Sequence, residues 1–228
     1  MATSIIKDHH LFTRNLKLNG NYISNDSGNE GLIINDFGET IFKSSIGLLL
    51  DGTNDYLDFG DVNLINTSDY SISLWFKTAV DDANGTIINK YQADGAIGAK
   101  LEIDGASYGG KVLFEHKTGS GDYGIILSDA VLADDSWHHV VITADRTGSD
   151  GLLKMYIDGS VQADTHDIDT VALQATINPT AGSGFGELII GSSSRNFLGD
   201  FNGSIDEVAI FNNRILSSGN VTTIYNSG

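Results

Sequence analysis

The sequence predicts an all-β protein, a sandwich of antiparallel strands preceded by a short hairpin-rich arm, and three observations carry that expectation. Ile, Leu, Val, Phe and Tyr recur in short runs, 27 glycines punctuate those runs, and there is a single proline in 228 residues. Short apolar runs divided by glycine-bearing turns suit many strands and few helices. A chain of this length has room for one large sandwich and an appendage.

Thirteen Lys and Arg stand against 30 Asp and Glu, a net charge of −17. That balance repels phosphate backbones and anionic headgroups, so nucleic acid is not an expected partner. The absence of cysteine rules out a disulfide scaffold, a thiolate zinc site and a cysteine nucleophile. The opening MATSIIKDHHLFTRNLKLNG lacks the apolar core of a secretory signal, and no run of about 18 apolar residues occurs, so membrane insertion is not expected either. Met1-Ala2-Thr3 reads as the start of a complete protein rather than of a module cut from a larger one.

Residues 1–45 form the expected arm. Asn25-Asp26-Ser27-Gly28 is echoed by Asn35-Asp36-Phe37-Gly38, with Gly31-Leu32-Ile33-Ile34 between them and Thr40-Ile41-Phe42 after, which spells strand, turn, strand. Leu16-Lys17-Leu18 before Asn19-Gly20 fits another hairpin. The alternative is a tail with chance turn residues. A piece this small buries little by itself, so if ordered it must pack on the main domain or on another copy, which marks it for assembly or attachment.

Residues 46–228 form the expected sandwich domain. In Ser71-Ile72-Ser73-Leu74-Trp75-Phe76-Lys77 the period of two puts Ile72, Leu74 and Phe76 on one face and the serines, Trp75 and Lys77 on the other. Trp137 to Thr143 and Leu152 to Ile157 read as further strands, the latter ending in an Asp158-Gly159 hairpin turn. Phe201 to Phe211 is the last long strand. Strict alternation groups Ile205, Glu207, Ala209 and Phe211 against Asp206, Val208 and Ile210. Val221, Ile224 and Tyr225 fall at helical spacing behind Ser217-Ser218, which predicts a short closing helix with a serine cap.

Five segments in order carry a family resemblance: Leu50-Asp51-Gly52-Thr53-Asn54-Asp55-Tyr56-Leu57, Tyr70 to Lys77, Trp137-His138-His139-Val140, Met155-Tyr156-Ile157-Asp158-Gly159, and Gly203-Ser204-Ile205-Asp206-Glu207-Val208-Ala209-Ile210-Phe211-Asn212. Together they resemble the laminin-G-like, concanavalin-A-like lectin domains, over about four-fifths of the chain, with Ile224 to Gly228 closing the pattern. The resemblance implies a two-sheet antiparallel jelly roll and glycan or protein ligands; a fold with many functions does not choose among them. The arm's LKLNGNYISNDSGNEGLIINDFGETIF also resembles turn-rich β segments of bacteriophage tail and virion proteins.

A glycosidase on such a fold needs two carboxylates about 5 to 9 Å apart. Glu102 and Asp104, two apart on one strand, share a face and resemble the start of a glucanase signature, but Gly105, Ala106, Ser107 and Tyr108 follow with no further glutamate. Asp206 and Glu207, as strand neighbours, point to opposite faces and belong to the resemblance's fold signature. The chain is therefore expected not to be an enzyme, with a glycoside hydrolase as an outside alternative. Hard-cation chemistry suggests a structural calcium at the turn carrying Asp51 and Asn54, with Asp206 brought near if the first and last strands lie side by side; the alternative is that these side chains only brace their own turns. His138 and His139, adjacent on a strand, are expected to pack rather than bind metal. His9-His10 reads as solvated, and His116 and His166 as isolated.

Glycan binding uses an aromatic face with a few polar groups. Tyr91, Tyr108, Tyr123, Phe185 and Phe197 lie in or beside Gly, Ser, Asp or Asn-rich stretches and are the candidates, each with the alternative of anchoring its own loop. The functional expectation is a non-catalytic virion structural or adhesion protein, on a phage particle as tail fibre, baseplate or capsid decoration. Its lectin-like domain would meet host glycans or a surface receptor, and its arm would join other virion proteins in a homo-oligomer, a trimer favoured. A free-standing carbohydrate-binding module of an adhesin or polysaccharide-degrading system, extracellular or at the cell surface, is the alternative.

Overall fold

The computed structural model describes residues 17–18, 31–34, 40–43, 47–60, 62, 68–81, 85–91, 98–119, 122–146, 152–163, 167–168, 186–193 and 199–227. Among these, every strand pairing is antiparallel. The larger sheet runs, edge to edge, β1 (Lys17–Leu18), β5 (Leu57–Asp58), β15 (Ile189–Ile190), β7 (Gly85–Tyr91), β8 (Gly98–Asp104), β9 (Lys111–Gly119), β10 (Asp122–Val131) and β14 (Asp167–Ile168). The smaller runs β13 (Ser160–Val161), β12 (Leu152–Ile157), β11 (Trp137–Asp145), β6 (Tyr70–Lys77), β16 (Asn202–Asn212) and β4 (Leu48–Asp51). The chain repeatedly leaves one sheet for the other, the connectivity of a jelly-roll sandwich.

The core lies between the sheets and follows the period of two. Ile72, Leu74 and Phe76 of β6 and Val140, Ile142 and Ala144 of β11 meet Ala99, Leu101 and Ile103 of β8 and Val112 and Phe114 of β9. Each fully buried large side chain removes enough apolar surface from water to contribute about 1.5–3 kcal/mol, which fixes the register of these central strands against a one-residue slip.

β16 departs from strict alternation. Asp206 pairs with Trp75 and Ala209 with Ser73, so three steps on β16 match two on β6, and Glu207 takes a φ of 47°. This bulge shifts the phase. Ile205, Val208 and Ile210 all enter the core, which corrects the grouping that a regular strand predicts for Ile205, Glu207, Ala209 and Phe211.

In the arm, β2 (Gly31–Ile34) pairs with β3 (Thr40–Lys43), Ile33 opposite Ile41, and β3 lies against β16. The strand–turn–strand reading of this stretch agrees; its Asn35-Asp36-Phe37-Gly38 turn is outside the described residues. The Asn19-Gly20 signal predicted a local hairpin, but β1 pairs with β5, Lys17 opposite Asp58. A two-residue strand gains more by covering the open edge of a large sheet than by closing a hairpin with nothing to bury.

The chain ends in α1 (Ser218–Tyr225), with Ser217 as N-cap and Asn220 completing a capping box. The helix closes over the outer face of the six-stranded sheet, where Val141, Tyr156, Leu216 and Val221 form a second apolar cluster joined by Phe211 and Ile224. Ser71 Oγ fastens the incoming segment, donating to Arg214 O at 2.9 Å and accepting from Leu216 N at 3.0 Å. Ser71 and Ser73, predicted opposite the core, are both buried, Ser71 through these bonds and Ser73 against His139.

Candidate functional site

The outer face of the eight-stranded sheet, the side turned away from the core, gathers an unusual set of charges. With Ala99, Leu101 and Ile103 of β8 facing inward, Lys100, Glu102 and Asp104 face outward. Register places Lys100 beside Asn89 of β7 and Glu115 of β9, and Gly98 between Tyr91 and Lys117. Lys100 Nζ lies 2.8 Å from Glu102 Oε2, and Lys117 Nζ 2.7 Å from Glu115 Oε1. Both ammonium groups also stand 5.8 Å from the Tyr91 ring centroid.

Gly98 makes this approach feasible. Its φ of 140° is one that L side chains rarely adopt, and a Cβ there would lie 2.6 Å from Tyr91 Cδ1 and collide with Lys90 O. The face is closed at Glu102, whose side chain is 4% exposed, and opens toward Lys117 at 30%. Burial raises the Glu102 pKa, Lys100 pulls it down, and Asp104 and Glu115 push it up, with a net rise. Burial likewise holds the Tyr91 phenol well above its usual range, with Glu115 adding to the effect. Two ammonium groups, two carboxylates and an aromatic ring are thus held in fixed positions on this face, with Tyr91 itself only 9% exposed.

The Glu102 and Asp104 pair shares a face as predicted, but each carboxyl has a structural task. Glu102 is ion-paired with Lys100, and Asp104 accepts from Ser107 N at 2.8 Å in the turn that follows β8. A neutral acid and a free base flanking one bond is not what these contacts set up.

At the turn after β4, Asp51 accepts from Thr53 N at 2.8 Å and Asp55 accepts from Asp51 N at 3.1 Å. β4 and β16 do lie side by side, but Asn202 faces Asp51, and Asp206 lies past Ile205, which faces Leu48. The expected approach of Asp206 to Asp51 is therefore corrected by the register. Asp206 instead accepts from Glu207 N at 2.8 Å within the bulge. The carboxylate that reaches the turn is Asp200, which accepts from Asn54 N at 3.0 Å, a residue no local pattern singled out. Among the described residues no group of three or more His, Asp or Glu is placed to hold a metal ion.

The adjacent histidines diverge as predicted. His139 forms a three-ring cluster with Trp75 and Tyr225, with Nε2 2.9 Å from Ser73 Oγ, and burial lowers its pKa to about 4, against a small upward pull from Asp158. His138 sits between carboxylates, Nδ1 2.8 Å from Asp158 and Nε2 3.1 Å from Asp134. Burial opposes its charge, but the two carboxylates outweigh that and raise its pKa. His116 is not isolated: wholly buried, it meets Tyr70 OH through Nδ1 at 2.7 Å, and burial, then Arg146, lowers its pKa to about 3.

Of the aromatic candidates, Tyr91 sits in the charged cluster and Tyr108 is half-buried in the turn after β8. Tyr123 pairs opposite Lys117 in β10. Phe185 and Phe197, with His9, His10 and His166, lie outside the described residues. Lys100, Glu115 and Lys117, which complete the Tyr91 cluster, were not identified in the sequence; the alternation Lys-x-Glu in β8 and Glu-x-Lys in β9 is the signal that could have found them.

A search of curated protein sequences finds no relative. Solved structures with the same fold include domain 4 of AbnA, a GH43 extracellular arabinanase from Geobacillus stearothermophilus in complex with arabinotriose, at 18% identity and TM-score 0.56 over 92% of this chain and 87% of that one. The CBM40 of the Ruminococcus gnavus IT-sialidase matches at 15% identity and TM-score 0.57, over 79% and 97%. A botulinum neurotoxin type C chain, whose cell entry depends on two ganglioside molecules, matches at 16% and 0.55, over 88% of this chain but 45% of that one. In sequence, the description laminin G-like, concanavalin A-like lectin/glucanases superfamily matches residues 51–222, and with the sandwich and its motif order in place, the chain belongs to the concanavalin A-like lectin/glucanases superfamily.

Proposed function

We propose that this protein is a non-catalytic glycan-binding domain whose sugar site is the outer face of the eight-stranded sheet around Tyr91. The observation that carries the reading is the Tyr91 ring laid over Gly98 with Lys100 and Lys117 beside it, each lysine already paired with a carboxylate. Alternating donors and acceptors that are fixed before a ligand arrives suit hydroxyl groups, which both donate and accept, and their ordering is complete before binding. The arabinotriose-bound arabinanase domain and the CBM40 support the ligand class.

The setting we propose is a phage particle, as tail fibre, baseplate or capsid decoration, with residues 1–45 attaching the sandwich to other virion proteins as a trimer and the sandwich turned toward a host surface. The turn-rich arm and the strongly acidic, cysteine-free composition support it. A free-standing carbohydrate-binding module is the second reading, favoured by the CBM40 likeness.

Glycan-array screening followed by calorimetry on the wild type and on Tyr91→Ala and Lys117→Ala tests the site. Binding that falls by roughly tenfold or more in each variant is the expected result, since losing the charged hydrogen bonds of Lys117 costs about 1.5–3 kcal/mol and losing the Tyr91 ring releases both ammonium groups that stand beside it. Glycan binding left intact in both variants refutes this site. Light scattering on the full chain tests the assembly, and a monomer at every concentration refutes the trimer.

A further inference from the structure

Thr143 of β11 and Lys154 and Tyr156 of β12 face away from the core, since Leu153 and Met155 between them enter it. The segment that leads into α1 passes in front of them, and between the two runs an open groove of about 220 Å3, whose lining includes Thr143, Asp145, Lys154, Tyr156, Ile215 and Ser218. This groove belongs to the six-stranded sheet and shares no residue with the Tyr91 face.

We propose that the groove is a second saccharide subsite, one that takes a single neutral sugar ring. Its volume lies below the ~300–1,000 Å3 that encloses drug-sized ligands, which limits the occupant to about one ring. Lys154 and Asp145 bring one positive and one negative charge to the same opening, and among the described residues neither is held in an ion pair. An anion would meet Asp145 on a chain that already carries −17, and a cation would meet Lys154. A vicinal diol satisfies both, one hydroxyl accepting from the ammonium and the other donating to the carboxylate.

The walls supply the apolar half of the recognition. Tyr156, 7% exposed, forms a firm floor, and Ile215, 37% exposed, offers an aliphatic side to the C–H face of a ring. The wall that carries Ile215 is fixed by the Ser71 bonds to Arg214 and Leu216 on either side of it. A site that is already ordered loses little entropy when it is filled.

The test is an amide-shift titration of the full 15N-labelled chain with the methyl glycosides of glucose, galactose, mannose and N-acetylglucosamine, repeated on Lys154→Ala and Asp145→Asn. Saturable shifts at Asp145, Lys154 and residues 215–218 with at least one glycoside, weakened roughly tenfold or more in each variant, are expected. No shift at those amides with any of the four overturns the subsite. So does a response to methyl glucuronide or glycine betaine that the neutral glycosides do not produce. Shifts confined to Tyr91, Lys100 and Lys117 overturn it while leaving the Tyr91 site standing.

Discussion

Acidification from pH 7 to 5 should destabilise the protein by about 4 kcal/mol through two buried histidines, each losing about 1.4 kcal/mol for every unit that pH falls below its unfolded pKa while still above its folded one. His116 and His139 are held neutral by burial, with pKa lowered to about 3 and about 4. In the unfolded chain they titrate near 6.5. A group depressed on folding contributes stability above its unfolded pKa and loses it as pH falls toward the folded one. At pH 5 each has lost about 2 kcal/mol by this route. His138 has the opposite sign: its pKa is raised, because both ring nitrogens face carboxylates and only the imidazolium can donate to both. Its contribution is complete below pH 6.5 and is lost as pH climbs through the raised value. Stability should therefore peak near neutrality and fall on both sides.

Urea unfolding followed by tryptophan fluorescence at half-unit pH steps measures this profile. His139→Gln should remove about half of the acid loss, and His138→Gln the alkaline limb. The variant comparison isolates the histidines from Glu102, whose raised pKa makes the folded state take up a proton first and so offsets part of the acid loss. Equal stability at pH 7 and pH 5 in the wild type, or an acid loss unchanged by His139→Gln, would refute the reasoning.

Gly98→Ala should lower stability by about 1–3 kcal/mol from backbone strain alone, and more from the collision with Tyr91 and Lys90; thermal unfolding reads the loss, and an unchanged midpoint would contradict the packing described. Tyr225→Ala removes a ring stacked 5.6 Å from Trp75 and should cost about 0.5–1.5 kcal/mol beyond the lost burial, with a red shift of Trp75 emission that a Trp75→Phe background abolishes.

The central strands were legible because their information is local. Ile72, Leu74 and Phe76 alternate with polar residues, and one buried face suffices to fix their direction. The capped helix and the Asp158-Gly159 turn were legible for the same reason, as the chemistry of a cap or a tight turn is complete within a few residues. The bulge at Glu207 was not, because one extra residue leaves the period of two intact on either side of it.

The sequence by itself determined the all-β class, the order of the strands' motifs, the inward faces of the central strands and the absence of cysteine chemistry. Only the tertiary structure decided that Asn202 rather than Asp206 faces Asp51, that β1 closes the edge at β5, and that Glu115 and Lys117 join Lys100, Glu102 and Tyr91. The physical reason is that each of these turns on the register between strands brought together only by folding. Register is set by the summed burial and hydrogen bonding of whole strands, and no short stretch of sequence records it.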